Sequence, residues 1–149
     1  MVLAVPYGAV EAIIGAHADE LKGKILIDIT NPVNFDTFDS LEVSADSSAA
    51  QEIQKKLPET VVVKAFNTTF AATLASGLVG GKEPTIVLVA SDDAEAKQKI
   101  KEALEGSLLS VLDVGTLKRA RELEAMGFLQ ISMAARKQFG WIGGFAVIK

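Results

Sequence analysis

The stretch that decides the fold is VVVKAFNTTFAA, residues 61–72. Its β-branched first half predicts a buried strand, and the alanine-rich residues after the polar turn predict a helix. In open α/β sheets, ligands bind just beyond the carboxyl ends of the strands. Asn67 and Thr68 stand at that point of the chain, so we expect them at the edge of the sheet where a binding site forms.

The rest of the chain continues this alternation of strands and helices. Further strands are predicted over Val2–Val5, Ile25–Ile29, Thr85–Ala90 and Leu108–Val114, and the strand of the opening stretch covers Thr60–Phe66. Helices are predicted over Val10–Leu21, Ser48–Leu57, Phe70–Ala75, Asp92–Glu105 and Leu117–Phe139, the last one broken or bent near Gly127. We therefore predict an α/β fold in one domain over residues 1–149: a partial Rossmann-like, doubly wound, mostly parallel sheet of about five strands with flanking helices.

Two segments outside these elements carry apolar residues that predict contacts with the core. Residues 31–47 show no sustained period and predict a long loop anchored by Val33, Phe35 and Phe38. Loops of this length in compact domains are usually functional or mobile. The apolar tail, residues 140–148, is expected to pack back on the body of the domain.

The chain opens directly inside a predicted strand, at Val2–Val5, and contains no Gly-x-Gly turn. This order predicts the C-terminal portion of an NAD(P)-binding Rossmann domain that lacks the Gly-rich first βαβ half. The Val2–Val5 strand then becomes an uncovered apolar edge, and such edges recruit another strand. We expect a homo-oligomer that forms through this edge or through the last helix.

Composition and charge exclude several classes of function. The 15 basic and 19 acidic residues give a net charge of −4, which argues against nucleic acid as a partner. The absence of cysteine excludes thiol catalysis and thiolate metal sites, and the single histidine, His17, excludes a histidine-rich metal site. No apolar run reaches the roughly 18 residues that span a bilayer, and the N-terminus has no signal-peptide pattern. We expect a cytoplasmic protein without a membrane partner and without a metal.

Three predicted strand ends are polar although their strands are not. They are Val5-Pro6-Tyr7-Gly8, Thr30-Asn31-Pro32 and Asn67-Thr68. Adjacent parallel strands bring such ends to one edge, where asparagine and threonine can bind a carboxamide or a ribose hydroxyl. Asparagine is also a preferred turn residue, so a purely structural role stays open, and it is favoured if Asn31 and Asn67 bond only to backbone.

The chain offers no acid, base or nucleophile constellation, and we assign no catalytic residue. Hydride transfer between two ring systems needs chiefly proximity and orientation, so a crevice of small and amide side chains suits that reaction; it also suits binding alone. Arg121 and Glu124, three residues apart at the start of the last helix, predict a surface salt bridge, with a cofactor or interface role as the alternative.

Several segments, taken in order along almost the whole chain, resemble NADP oxidoreductases dependent on the deazaflavin coenzyme F-420, and they are similar to the reductase domain of the six-transmembrane metalloreductases. These segments are VLAVPY (2–7), GKILIDITNP (23–32), NFD (34–36), SSAA (47–50), VKAFNT (63–68), DDAEAK (92–97) and DVGTLKRARELE (113–124). The resemblance implies a Rossmann domain that binds NADP(H) and passes a hydride to or from a flavin or deazaflavin.

The resemblance also implies places for individual residues. Ala4, Val5 and Pro6 would contact the ribose and pyrophosphate region of the cofactor, and Asn31 and Pro32 would flank the nicotinamide. Asn67, Thr68, Phe70 and Ala71 would border the nicotinamide and the second ring, and Arg121 and Glu124 would lie near the acceptor or a dimer contact.

The leading hypothesis is thus an NAD(P)-dependent oxidoreductase. The alternative is a non-catalytic dinucleotide-binding or protein-interaction module that has lost the phosphate-binding half. The electron acceptor and the choice between NAD and NADP stay open, because the loop that distinguishes the two cofactors is not among these residues.

Overall fold

A five-stranded sheet forms the centre of the structure, a computed structural model that describes residues 1–148. Its strands, in spatial order, are β1 (Val2–Leu3), β2 (Ile25–Asp28), β3 (Val61–Ala65), β6 (Ile86–Ala90) and β7 (Ser110–Gly115). The strands β1, β2 and β3 are parallel, β6 runs antiparallel to β3, and β7 is parallel to β6. A short hairpin of β4 (Leu78–Val79) and β5 (Glu83–Pro84) stands apart. The predicted α/β class and mostly parallel sheet are confirmed.

Helices cover both faces of this sheet, as in a doubly wound fold. They are α1 (Val10–Ala16), α2 (Ala18–Leu21), α3 (Ala49–Lys56), α4 (Ala71–Ser76), α5 (Ala94–Ala103) and α6 (Ala120–Ala135), with single 3-10 turns at Tyr7–Ala9 and Leu117–Arg119. One face buries Leu26 and Val62 against α1, α3 and the start of α6. The other face buries Val63 and Val89 against α5.

The last helix is not broken near Gly127, since α6 continues through that residue as one helix. A methyl group on Gly127 would lie 2.4 Å from the side-chain oxygen of Asn31 and 3.0 Å from the carbonyl oxygen of Asn67. The glycine therefore serves a close contact. The single helix predicted over residues 10–21 is in fact two, because the chain departs from helical geometry at His17.

The loop of residues 31–47 and the tail of residues 140–148 differ in how well the sequence predicted their packing. Of the three loop anchors, only Val33 is buried, whereas Phe35 is exposed and stacks edge-on against Phe38. The tail packs back as predicted, since the amide of Phe145 donates to the Gln130 side chain on α6 over 2.8 Å.

The N-terminal strand is shorter than predicted and lies at the edge of the sheet. It pairs with β2 only over Val2 and Leu3, and the side chain of Val2 is 55% exposed. Residues 4–6 lie outside the strand, with a bend at Val5. Within residues 1–148, no helix has both the length and the hydrophobicity needed to cross a bilayer.

Candidate functional site

A groove of about 370 Å³ opens at the carboxyl ends of β1 and β2. Its lining comprises Ala4, Val5, Pro6, Tyr7, Ile29, Thr30, Asn31, Phe35 and Ile131. The first two polar strand ends therefore do meet at one edge, as the parallel pairing of β1 and β2 requires. Tyr7 belongs to the first of these strand ends, although no contact with a cofactor was assigned to it. Phe35 and Ile131 were not among the predicted site residues, because nothing local in the sequence marks them as neighbours of these strand ends.

The third strand end reaches the groove through Asn31 rather than directly. The Asn31 side-chain amide donates to the carbonyl of Asn67 over 2.9 Å, and the Asn67 amide donates back to the Asn31 side-chain oxygen over 2.9 Å. Asn67 also donates to the carbonyl of Leu123 on α6. Asn67 is buried, whereas Asn31 is partly exposed. The two asparagines thus bond to each other as well as to backbone, and they hold β2, β3 and α6 together behind the groove.

The other residues expected after β3 and in the loop after β2 make internal contacts. Thr68 is buried, and its carbonyl accepts from the side chain of Gln130 over 3.2 Å. Phe70 packs edge-on against Trp141, with ring centroids 4.9 Å apart, and exposed Ala71 begins α4. Pro32 is buried, and its carbonyl accepts from the amide of Glu42.

The turn that ends β3 holds strained backbone. Phe66 has a φ of 63°, in the left-handed region that bulky residues rarely adopt. Its carbonyl accepts from both the amide and the hydroxyl of Thr69, at 3.1 and 2.7 Å, which closes the turn. Such strain persists only where the surroundings enforce it, and it is found preferentially at functional sites.

The predicted ion pair between Arg121 and Glu124 is wrong. Arg121 pairs with its neighbour Glu122 at 2.7 Å, while Glu124 is only 1% exposed and contacts Lys64 at 2.8 Å. The reason is the course of α6, which crosses the face of the sheet. Its start lies beside the beginning of β3, near Asp92, and only its later part, at Ile131, reaches the groove. Local spacing placed both residues on the surface, but the tertiary packing buries one of them.

A fully buried charge cluster lies directly below the groove, and the sequence analysis missed it. The ammonium group of Lys64 donates to the carboxylate of Asp28 at 2.8 Å and to the carbonyl of Thr30 at 2.6 Å, and it forms an ion pair with the carboxylate of Glu124 at 2.8 Å. The sequence did carry a signal: a lysine inside VVVKA and an aspartate inside ILID stand in strands that are otherwise apolar. Charged residues in such strands are buried only when they are paired.

The cluster contains two carboxylates and one ammonium group, so one negative charge has no counter-ion within it. Backbone amides stabilise that charge by hydrogen bonds. The amides of Ala49 and Ala50, at the start of α3, donate to Glu124 at 2.8 and 3.3 Å. Burial raises the pKa of Glu124, while Lys64 and the Ala49 amide oppose the rise. Burial also raises the pKa of Tyr7, with the nearby charge of Glu124 as a further cause. Because Glu124 already occupies the start of α3, that helix terminus does not offer a free anion site.

The second cavity, about 200 Å³ between α1 and α3, shares only Tyr7 with the groove. Among the described residues that line it, the one lysine, Lys56, is paired with Glu11, and neither Asn31 nor Asn67 is present. The groove at the strand ends is therefore the candidate site, and together with the sheet it defines a Rossmann-like α/β protein.

Known proteins with related sequences share this architecture. No family model matches the chain. The chain is 30% identical over 137 residues to the F420-dependent NADP reductase of Methanocaldococcus jannaschii, across 89% of this chain and 60% of the reductase. It is 36% identical over 109 residues to metalloreductase STEAP3 of Rattus norvegicus, across 73% of this chain and 21% of STEAP3. A candidate F420-dependent NADP reductase from Arthrobacter sp. FB24, known from a crystal structure, matches with 29% identity and a TM-score of 0.85, across 99% of this chain and 68% of that one.

The resemblance found in the sequence is thereby confirmed: the chain is similar to F420-dependent NADP reductases and, over a shorter stretch, to STEAP metalloreductases. The chain spans about three fifths of the length of the curated reductases that it matches, 60% of one and 61% of the other.

Proposed function

We propose that this chain acts in an NADP-dependent oxidoreductase and that its groove holds the nicotinamide and the attached ribose. The hydride passes between NADPH and a flavin- or deazaflavin-type acceptor. The observation that carries the proposal is the meeting of two polar strand ends, Val5-Pro6 and Thr30-Asn31, in one groove at the carboxyl edge of a Rossmann-like sheet. The names of the relatives favour an oxidoreductase over a non-catalytic module.

The groove fits the uncharged end of a dinucleotide. Its volume of about 370 Å³ is within the range of small-molecule sites, and Val5, Ile29 and Ile131 give it apolar walls. Thr30 lines the groove, and within residues 1–148 its buried hydroxyl oxygen has no hydrogen-bond partner, which makes it a candidate partner for a polar group of a ligand. No lysine or arginine is among the described residues that line the groove. The fit therefore covers the nicotinamide and ribose and not the phosphates.

The residues of the groove orient the ring and exclude water. A bound nicotinamide supplies or accepts the hydride, so the chain does not need to provide an acid or a base. The apolar walls hold the ring face, and Thr30 and Asn31 provide the polar groups that set its orientation. We place the acceptor beside Thr68, Phe70 and Ala71, where the contact of Phe70 with Trp141 forms an aromatic surface.

Titration of the chain with NADPH by calorimetry tests this proposal. Ala4 is exposed and lines the groove, so Ala4→Trp fills the site without disturbing the core. Ala125 is exposed on α6 and does not line the groove, so Ala125→Trp is the matched control. We expect NADPH to bind the wild type and Ala125→Trp alike, and to bind Ala4→Trp at least about tenfold more weakly, because the indole fills the space that the ring needs.

Absence of binding to the wild type even at millimolar NADPH contradicts the proposal. Where binding is found, loss of NADPH absorbance after addition of flavin or deazaflavin distinguishes transfer from binding alone.

A homo-oligomer is part of the proposal, through the β1 edge or through α6, where Leu129 is half-exposed. Sedimentation velocity of two lysine variants separates the two routes. Val2→Lys places a charge on the strand edge and Leu129→Lys places one on the helix, and edge lysines block strand pairing. A wild-type monomer at high concentration contradicts both routes.

A further inference from the structure

We infer that Lys64 is a positioning residue for the groove, which acts by holding the Thr30 peptide in place from inside the protein. Lys64 does not line the groove and is fully buried, so it cannot touch a ligand there. The link between its position and ligand affinity rests on the proposed function, whereas the link between its position and the Thr30 backbone does not.

Both peptide groups of Thr30 are bonded to the charge cluster. Its amide donates to one carboxylate oxygen of Asp28 over 2.9 Å, and its carbonyl accepts from the ammonium group of Lys64 over 2.6 Å. The other carboxylate oxygen of Asp28 accepts from the same ammonium group. Lys64 and Asp28 therefore fix the backbone on either side of Thr30, and with it the direction in which the chain continues to Asn31.

The chemistry of the site explains why a lysine stands here. The Thr30 carbonyl lies beyond the end of β2, so a neighbouring strand does not supply its donor, and a buried carbonyl without a donor is costly. An ammonium group offers three donors, and here its three partners are Asp28, Thr30 and Glu124. The charge strengthens each of these interactions in the dry interior.

The same ammonium group also fixes the opposite wall of the groove. Its partner Glu124 is on α6, one turn before Gly127, which packs against the side chain of Asn31. Ile131, one turn further along the helix, lines the groove. Lys64 thus ties the backbone of one wall to the helix that carries the other, and the width of the groove depends on this connection.

A charge-neutral triple variant isolates this role. Replacing Lys64 alone leaves two buried carboxylates without a partner, whereas Asp28→Asn, Lys64→Met and Glu124→Gln together keep the volumes, leave no buried charge and preserve acceptors for the amides of Thr30 and Ala49. The Thr30 carbonyl is then the group that loses its donor. The single variant Asp28→Asn keeps the bond between Lys64 and Thr30, so it serves as the conservative control.

The control for stability is Gln54, which performs a similar task at the other end of β3. Its side-chain amide donates to the carbonyls of Leu57 and Thr60 and accepts from the amide of Val62. Gln54→Leu therefore removes buried hydrogen bonds from the same strand without touching the groove. Amide hydrogen exchange and NADPH affinity are measured for all variants under conditions in which each is folded.

We expect the triple variant to exchange the Thr30 amide faster and to bind NADPH at least about tenfold more weakly, the factor that one charge-assisted hydrogen bond commonly provides. Asp28→Asn, which keeps the bond from Lys64 to Thr30, loses clearly less affinity than the triple variant, and Gln54→Leu accelerates exchange at Val62 but not at Thr30. Unchanged Thr30 exchange in the triple variant, or an equal loss of affinity in Gln54→Leu, overturns the inference.

Two further results keep the test decisive. If the triple variant does not fold, the test is made on the wild type. A groove coupled to this cluster must show slower exchange of the Thr30 amide when NADPH binds. Unchanged exchange on binding overturns the inference. If the wild type binds no NADPH, the proposed function fails, and Thr30 exchange alone then decides the role of Lys64.

Discussion

The two ends of β3 are both held by buried polar side chains, yet they are built in different ways. At its amino end, Gln54 and Ser91 form neutral hydrogen bonds that satisfy backbone groups around Thr60 and Val62. Its carboxyl end has a buried charge, the ammonium group of Lys64, and strained backbone at Phe66. It also has Asn67, whose side-chain oxygen has no hydrogen-bond partner within residues 1–148.

This difference supports the proposal that one end of β3 is structural and the other belongs to the binding site. Neutral, fully bonded contacts are the least costly way to finish a strand. Charge, strain and unpaired oxygen atoms are costly, and natural proteins keep such features mainly where function requires them. At this end of β3, Lys64 bonds to Thr30 and Asn67 bonds to Asn31, and both Thr30 and Asn31 line the groove, which supports placing the binding site there.

The largest effect is expected from Lys64→Met alone. It leaves Asp28 and Glu124 buried without their counter-ion, and removal of one partner from a buried ion pair costs about 3–5 kcal/mol. Urea unfolding measures the loss. The Thr30 carbonyl, which accepts from Lys64, loses its donor as well. A loss of unfolding free energy below about 1 kcal/mol therefore contradicts a strong coupling among the buried charges at the carboxyl end of β3.

Gly127→Ala is expected to cost about 1–3 kcal/mol and to weaken NADPH binding, because the added methyl group collides with Asn31 behind the groove. The matched control is Gly15→Ala in α1, where no atom lies within 4 Å of the new methyl group. That variant gains about 0.5–1 kcal/mol from helix propensity. The melting temperatures of the two variants shift in opposite directions if Gly127 packs against Asn31 as described. Equal shifts contradict that contact.

A smaller effect is expected from Ser48→Ala, which removes the N-cap of α3. The Ser48 hydroxyl accepts from the amide of Gln51 over 3.1 Å, and loss of such a cap costs about 1 kcal/mol. Glu124 still holds the amides of Ala49 and Ala50, so α3 stays in place and NADPH affinity is unchanged. Urea unfolding combined with the NADPH titration checks both statements; a loss of affinity that matches Gly127→Ala contradicts the separation.

The smallest effect is expected at the surface pair of Lys97 and Asp113. The hydrogen bond from Lys97 is the main cause that lowers the pKa of Asp113 below 3.8, so the folded state binds this proton less readily than the unfolded state. The contribution to stability is present above that pH and is lost as the pH falls through the lowered pKa. Lys97→Met should therefore flatten the acid limb of a stability–pH curve slightly, and the exposure of Asp113 keeps the change small. A change as large as that of Lys64→Met contradicts the contrast between surface and interior.

The fold was predictable from sequence where periodicity carries the information. The βα pattern of residues 61–72 and the helix predicted over Ser48–Leu57 are found in the structure, because both depend on residues close together in the chain. The reversal of β6 was not predictable, since it depends on how α4 and the β4–β5 hairpin turn the chain.

The site was predictable only in part, for the same reason. The convergence of residues 4–7 with Thr30 and Asn31 follows from parallel pairing, whereas Ile131 comes from helix α6, whose packing no local pattern predicts. Glu124 is the clearest example of what local sequence does not predict. Its spacing from Arg121 predicts a surface ion pair, whereas the path of α6 across the sheet brings it to Lys64.

The most direct test of the central claim is an NMR titration of the isotope-labelled chain with NADPH. The resonances of Ala4, Thr30, Asn31 and Ile131 should move together with one affinity, while those of Thr60 and Val62 at the opposite end of β3 stay fixed. Shifts confined to that opposite end, or no shifts at saturating NADPH, contradict the placement of the dinucleotide site in the groove.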